Sequence, residues 1–461
     1  MGSARTALYA WLYARKHGGK FILRIEDTDK GREVEGAIGH MMESLKWLGI
    51  QWDEGIDVGG PYEPYLQSAR LDSHTAYARE LIAAGFAYPD PYTEEELETL
   101  RKKAEEEKRP FLFREHRPEH FDAWDGTKPL RFKVPTIKRF EWEDAVMGTL
   151  TAGEEALDDF ILIKGDGYPT YNFAHVIDDI EMKVTHVMRG QEFMSSTPKF
   201  LSLYEALNEV PPVFVTLPPI LGEGGNKKLS KRDGAKDILD YRREGYLPET
   251  MVNFLALLGW SPGGDQEFFT PYGLIEAFDI TRIQRSGAQF DEDKLKHLNR
   301  EHMRRLSDEE FISRGELHAP DDLRLLKAVP LLKERAYTFE EAREMLSGEL
   351  SCLFKTPDLA RAQLVAKEPA ERPDLTKEAL KAVLELLEGL PALLPAEAVK
   401  MALMPLADAE EAKGKGGRGA VLWPTRYALS GAERSPDPFT LISILGTMEA
   451  TSRIRAALAI L

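Results

Sequence analysis

The spacing of apolar residues changes character along the chain, and that change limits the architecture. Up to about Ile238 short strand-like runs alternate with helical runs; from there the pattern is mainly helical, and from Ser307 on no good strand pattern remains. Alternating strands and helices need a sheet with helices packed on it, whereas Leu- and Ala-rich helices can only pack on one another. The chain therefore reads as an α/β part followed by an all-α module. Its 461 residues fit about two to four domains.

Ala4 to Lys16 carries Leu8, Trp11, Leu12 and Arg15 at helical spacing, and Gly18-Gly19 stops it. Phe21 to Ile25 reads as a buried strand ending in the acids Glu26, Asp27 and Asp29, with a helix from Gly36 to Leu48 beyond. The stretch from Tyr65 to Pro135 differs. Helical runs bracket Gly85 to Tyr88, the run Glu94 to Lys108 is almost wholly charged, and strands are expected at Pro129 to Val134 and Phe140 to Thr149. This reads as an insertion. Strand and helix then alternate again: Asp159 to Lys164, Thr170 to Ile177, Val184 to Met188, Thr197 to Leu207, Val213 to Leu217. Ser307 with Glu310 three residues on forms a capping box that opens the last module, whose helices are separated by prolines. The boundaries that follow are 1–70 with 158–235 for the sheet domain, 71–157 for the insertion, 236–306, and 307–461.

Composition excludes several classes. A lone cysteine, Cys352, can form neither an internal disulfide nor a multi-cysteine zinc site. No apolar run is long enough to span a bilayer, and Met1 to Arg5 lacks a signal-peptide layout, so a cytoplasmic protein is expected. The net charge of −17 opposes attraction to phosphate. Contact with nucleic acid would need local patches, for which Lys294, Lys296, Arg300, Arg304 and Arg305 on one helix, and Lys413, Lys415 and Arg418 on a loop, are available.

Four segments carry potential chemistry. Lys227-Lys228-Leu229-Ser230-Lys231-Arg232 follows a glycine-rich stretch and suits a polyphosphate, although a solvated basic loop has the same composition. In Arg24-Ile25-Glu26 strand alternation puts Arg24 and Glu26 on one face, at the strand end where α/β sheets bind ligands. Surface acids would read alike. Tyr168 to Ala174, followed by Asp178-Asp179, is an aromatic turn that fits either a pocket or a core. Arg189, just after a strand, could clamp a carboxylate or make a surface ion pair.

In this order the segments resemble the bacterial-type glutamyl-tRNA synthetases, which are class I aminoacyl-tRNA synthetases. Phe21 to Asp29 resembles the family's strand-end motif, Gly167 to Tyr171 its amino-acid pocket, and Lys228-Leu229-Ser230-Lys231-Arg232 its "KMSKS" loop. Phe254 to Trp260 and Phe290 to Leu295 resemble its stem-contact region, and Val421 to Arg426 a segment of its anticodon module. The resemblance implies a Rossmann-like catalytic domain, an acceptor-end-binding insertion, a stem-contact domain and a helical anticodon-binding domain. It implies that ATP, with Mg²⁺, activates glutamate to an adenylate and that the acyl group passes to the terminal adenosine of tRNA-Glu, with tRNA-Gln left open. Glu26 would take the ammonium of glutamate. Tyr171 and Arg189 would hold its carboxylates, with Glu192 and His175 nearby. Lys228, Leu229, Ser230, Lys231 and Arg232 would meet ATP, Lys231 and Lys228 with catalytic charge. Lys294, Arg300 and Arg304 would meet tRNA, and a monomer is implied. No zinc is expected: the cysteines with which some relatives bind it near Ala87 to Tyr92 are absent, and His116 and His120 are not a metal set by themselves.

The sequence departs from the family at its start. The "HIGH" motif falls on Met1-Gly2-Ser3, so Gly2 and Ser3 stand at catalytic positions while the histidine and the preceding strand have no counterpart. Two strand edges are then expected to lack a partner. A gene start lying upstream is the preferred explanation, with a non-catalytic tRNA-binding paralogue as the alternative. A short relative that glutamylates queuosine would lack the helical module, and a glutaminyl-tRNA synthetase would carry a β-barrel there. A chain beginning at Met1 is expected to show severely reduced ATP–pyrophosphate exchange with tRNA present. Exchange at the rate normal for the family would refute this.

Overall fold

The computed structural model describes residues 1–29, 35–222, 224–225, 227–229, 236–365, 373–412 and 417–461. Ser230, Lys231 and Arg232 of the lysine loop, and Lys413 and Lys415, lie outside the described residues. The chain forms two compact units: Met1–Asp240 with Pro248–Glu292, and Tyr241–Leu247 with Asp293–Leu461.

The strands are β1 (Ile22–Leu23), β2 (Glu54–Gly55), β3 (Ala87–Pro89), β4 (Leu130–Phe132), β5 (Phe140–Asp144), β6 (Gly148–Ala152), β7 (Ile161–Ile163), β8 (His186–Gly190), β9 (Val213–Leu217), β10 (Ile220–Leu221) and β11 (Ala288–Gln289). All belong to the first unit. Four of them make one mixed sheet in the order β6-β5-β9-β8. Its β8 and β9 run parallel, joined by the helix Thr197–Ala206, which is the crossover that parallel pairing requires. The antiparallel set β3-β4-β7 and the parallel pairs β1-β2 and β10-β11 are separate. Among the described residues β8 thus ends the mixed sheet on one side, and β1 pairs only with β2.

The run Phe140 to Thr149, expected as one strand, is split by a turn into the antiparallel pair β5 and β6, and β5 also pairs parallel with β9 at Asp144 and Phe214. Strand β7, expected in the sheet domain, pairs with β4. Alternation along a strand shows which side chains share a face but not which neighbour the strand joins. The buried Asp144 carboxylate fixes the junction. It accepts from the backbone N–H of Val146 and Met147 at 2.9 Å each, which closes the turn, and from the Thr216 hydroxyl of β9 at 2.6 Å. Asp159 does the same for the insertion, accepting from the Tyr88 hydroxyl at 2.5 Å, Arg117 Nε at 2.7 Å and Val134 N at 3.0 Å.

The first helix, Gly2–Lys16, ends at His17, and Gly18 follows with φ +65°, as the glycine pair leads one to expect. Its buried face reaches the far end of the helix Pro248–Leu257. Tyr9 donates to Ala256 O and Leu258 O, and Arg5 to Leu258 O and Pro218 O. Ala256 O and Leu258 O lie at a helix end, where carbonyls lack partners within the helix, and Pro218 O directly follows β9. The charged run is the helix Glu94–Glu106, opened by a capping box between Thr93 and Glu96.

The second unit is helical among its described residues, and its core runs from Leu247 and Met303 to Ala457. The Ser307–Glu310 capping box is formed. Not every proline separates helices, however: Pro330, Pro405 and Pro424 lie inside Asp322–Arg335, Ala396–Ala412 and Gly419–Ser430. A proline removes one ladder hydrogen bond, and packing of an apolar face offsets that loss. Arg453, 3% exposed, replaces missing backbone partners elsewhere. It donates to Cys352 O at 2.7 Å, Leu429 O at 2.6 Å and Lys355 O at 3.1 Å, with Glu449 at 2.8 Å as counter-ion. Arg453→Met should cost about 2–4 kcal/mol, since it leaves buried carbonyls unpaired. Urea unfolding of the second unit within about 0.5 kcal/mol of wild type would contradict this account.

Candidate active site

The turn that leads into the pocket helix is dictated locally. Gly167 takes φ +84° and donates to Lys164 O, the Asp166 carboxylate accepts from Tyr168 N at 3.0 Å, and the Thr170 hydroxyl donates to Ile161 O at 2.7 Å. The helix Tyr171–Glu181 then starts with Tyr171 and carries Asp178 and Asp179 two turns on. Arg24 and Glu26 follow β1, and Arg189 sits at the carboxyl end of β8. Strand ends and a helix start thus supply the site, as in other open α/β sheets.

The expected shared face of Arg24 and Glu26 is present as an ion pair of 3.1 Å. Arg24 also meets Asp179 at 2.8 Å and Asp178 at 3.7 Å. Burial works against its charge, but Asp179, Glu26 and Asp178 outweigh that and hold its pKa above the ordinary value. Burial pushes the Asp179 carboxyl up, and Glu26 adds to the effect against the pull of Arg24. Asp178 goes the other way. Burial alone would raise it, yet the hydrogen bond from His74 at 3.0 Å, the charge of Arg24 and the amide of Gln67 at 2.8 Å bring it to about 2. Arg70 Nε adds a bond of 2.7 Å to Asp178 and also pairs with Glu181. Of the two aspartates, Asp179 is therefore the first to protonate.

Tyr171, Arg189 and His175 form the other wall. Burial and Glu26 push the Tyr171 phenol up to about 12, and Arg189 opposes them through its charge and a hydrogen bond. The Arg189 guanidinium stands 4.6 Å from the Phe200 ring centre and 5.3 Å from that of Phe214. His175 is 3% exposed and stacks on Tyr171 at 4.7 Å. Its Nδ1 lies 2.7 Å from Tyr171 O. A carbonyl only accepts, so Nδ1 carries the hydrogen and Nε2 is left as an acceptor. Burial, with Arg189 second, lowers its pKa to about 3, so the ring is neutral.

The lysine loop is rooted by β10, which pairs with β11, and by Leu229 N donating to Ile220 O at 2.8 Å. Lys228 makes an exposed ion pair of 3.0 Å with Glu192, on the turn just past Arg189. Gly2 and Ser3 are the exposed first residues of their helix. In the second unit, Arg304 and Arg305 are exposed and each pairs with Glu301, while Arg300 is half-buried with its guanidinium 4.6 Å from the Tyr337 ring centre. Among the described residues no group of three or more His, Cys, Asp or Glu is placed to hold a metal ion. Gln67, Arg70 and His74 escaped the sequence reading. They lie in and after the 3-10 turn Gln67–Arg70, far along the chain from the aspartate they bind.

Asp178 has a folded pKa below its unfolded value of about 4. The stability it contributes, on the order of 2 kcal/mol, is complete above about pH 4 and is lost as pH falls toward about pH 2. Urea unfolding followed from neutral to acid pH should show this slope, and Asp178→Asn should flatten it. An equal slope in the variant would disprove the assignment.

Comparison with known proteins bears on the whole chain. The catalytic domain of the class I tRNA synthetases (E and Q) matches residues 1–297, and an anticodon binding domain matches residues 295–458. A glutamate–tRNA ligase of Anaeromyxobacter sp. is 38% identical over 472 residues, covering 100% of this chain and 96% of the relative. The glutamate–tRNA ligase of Carboxydothermus hydrogenoformans is 41% identical over 477 residues, covering 98% and 96%. The crystal structure of a glutamate tRNA ligase from Elizabethkingia meningosepticum, in complex with its amino acid, superposes with a TM-score of 0.84 at 34% identity, covering 99% of this chain and 96% of that one. The match to an anticodon binding domain also sets aside the short queuosine-modifying relatives, which lack that module. With a family match over most of its length and relatives aligned end to end, the chain belongs to the glutamate–tRNA ligases of class I.

Proposed function

We propose that this ligase binds glutamate between Glu26, Tyr171 and Arg189. In the first step a glutamate carboxylate oxygen attacks the α-phosphorus of ATP and pyrophosphate leaves. In the second a hydroxyl of the terminal adenosine of tRNA-Glu attacks the acyl carbon and AMP leaves. The observation that carries the reading is geometric: Arg24 pairs with both Glu26 and Asp179 of the helix that begins with Tyr171, while Arg189 and the His175 ring stacked on Tyr171 both pack on Phe200. An amino acid needs an acid for its ammonium and a guanidinium for a carboxylate, and these strand ends offer both. Neutral His175 gives a wall with one acceptor nitrogen, and Glu192 stands at the mouth.

Lys228 and Lys231 supply charge to the phosphates, where negative charge grows in the transition state. Leu229, Ser230 and Arg232 complete that loop. Gly2 and Ser3 offer backbone N–H groups at a helix start, where an anion is stabilised. Mg²⁺ belongs with the ATP phosphates, since such ions are held largely by substrate oxygens and water. Lys294, Arg300 and Arg304 meet tRNA. The division into residues 1–70 with 158–235, 71–157, 236–306 and 307–461, a monomeric state and action in the cytoplasm complete the proposal. No described helix is long and apolar enough to cross a membrane.

Arg189→Ala should raise the KM for glutamate about 100-fold and leave that for ATP near wild type, as expected for losing a charged hydrogen bond to one substrate. ATP–pyrophosphate exchange with tRNA present measures both. An unchanged glutamate KM would remove Arg189 from the pocket. Charging assays with tRNA-Glu and tRNA-Gln side by side decide the tRNA range.

A further inference from the structure

Among the described residues Glu26 pairs with Arg24, and its position depends further on how its backbone is held. That backbone is fastened on both sides to one short stretch. Ile25 N donates to Tyr65 O and Gln67 N to Ile25 O, each at 2.9 Å. The Asp27 carboxylate accepts from Ser68 N at 2.8 Å and from the Ser68 hydroxyl at 2.5 Å. The Thr28 hydroxyl donates to Gln67 Oε1 at 3.1 Å. Gln67 is fully buried, and its Nε2 donates to Asp178 Oδ2 at 2.8 Å. Asp178 is in turn one of the acids around Arg24, the ion-pair partner of Glu26. The Gln67 side-chain amide thus links the tie at Thr28, two residues past Glu26, to the acids around Arg24.

We propose that Gln67 is a positioning residue for glutamate binding: its amide ties Thr28 to Asp178 and so sets where the Glu26 carboxylate stands. This rests on Glu26 receiving the ammonium, as proposed above. The amide suits the place because it donates from one end and accepts at the other, in one plane. A carboxylate of the same shape would face Asp178 with like charge and lose the donated bond. Once protonated it would donate to Asp178 and accept from Thr28 as the amide does.

The substitution Gln67→Glu tests this, with glutamate dissociation constants measured by calorimetry on the full chain. At about pH 8 the variant should bind glutamate about 10-fold or more weakly, and at about pH 6 it should approach wild type, because burial beside Asp178 raises the pKa of the new carboxyl. Adding Asp178→Asn should restore binding at the higher pH. The amide introduced at position 178 keeps an oxygen for Arg70 and His74 and turns its N–H groups toward the carboxylate at position 67. ATP affinity should not change in either variant. A purely structural role would weaken binding at both pH values alike and affect ATP as well. That result, or wild-type affinity for Gln67→Glu throughout, would overturn the proposal. If the single variant does not fold, the double variant decides: recovered binding supports the role and continued loss refutes it. A wild-type chain that binds no glutamate would instead overturn the pocket reading on which the proposal rests.

Discussion

The first unit is arranged around one buried, ionised carboxylate. Asp178 is inaccessible to water, and removing a carboxylate from water costs several kcal/mol unless partners replace its hydration. Here the partners are the amide of Gln67, the guanidinium of Arg70 and the ring of His74, with Arg24 beyond. They come from two other parts of the chain, so satisfying one group brings together the acid segment after β1, the turn at Gln67–Arg70 and the helix Tyr171–Glu181. The position and charge of the groups around Arg24 follow from that requirement. Arg24 is held toward Glu26, and the first turn of the same helix aims Tyr171 at Arg189.

The same device recurs with other groups. Asp144 joins a hairpin to a parallel strand, and Asp159 ties a tyrosine and an arginine of the insertion together. Arg5 and Arg453 do the reverse, each donating to carbonyls left over where helices or turns end. These buried charges carry direction as well as energy. A well-packed apolar side chain could fill the same space, but it would not choose which carbonyl or hydroxyl to meet.

Local pattern carried much of this into view. Period-two alternation put Arg24 and Glu26 on one face, and the Gly18 and Ser307 signals marked a real helix stop and a real helix start. Helical and strand spacing located β8, β9 and the helix after Thr170 within a few residues. What local pattern lacks is partner choice. Nothing near Gln67 or His74 announces an aspartate more than a hundred positions away, because a buried polar side chain looks like a surface one until its contact is known. For the same reason nothing in the sequence announced that β5 pairs with β9 or β7 with β4. The prolines inside three helices were misleading for another reason: local propensity is weak beside the packing of a whole apolar face.

The contact between Lys228 and Glu192 has a consequence for how a strongly acidic protein receives an anion. An exposed pair of this kind is worth at most about 1 kcal/mol, so it can exchange partners readily. At rest Lys228 is a neutralised lysine rather than a bare one. On the proposed roles, an arriving polyphosphate would take over an existing counter-ion contact instead of creating one, and would release Glu192 three residues past Arg189. The proposed nucleotide and amino-acid sites would then share one carboxylate between them, so filling the first would alter the field beside the second.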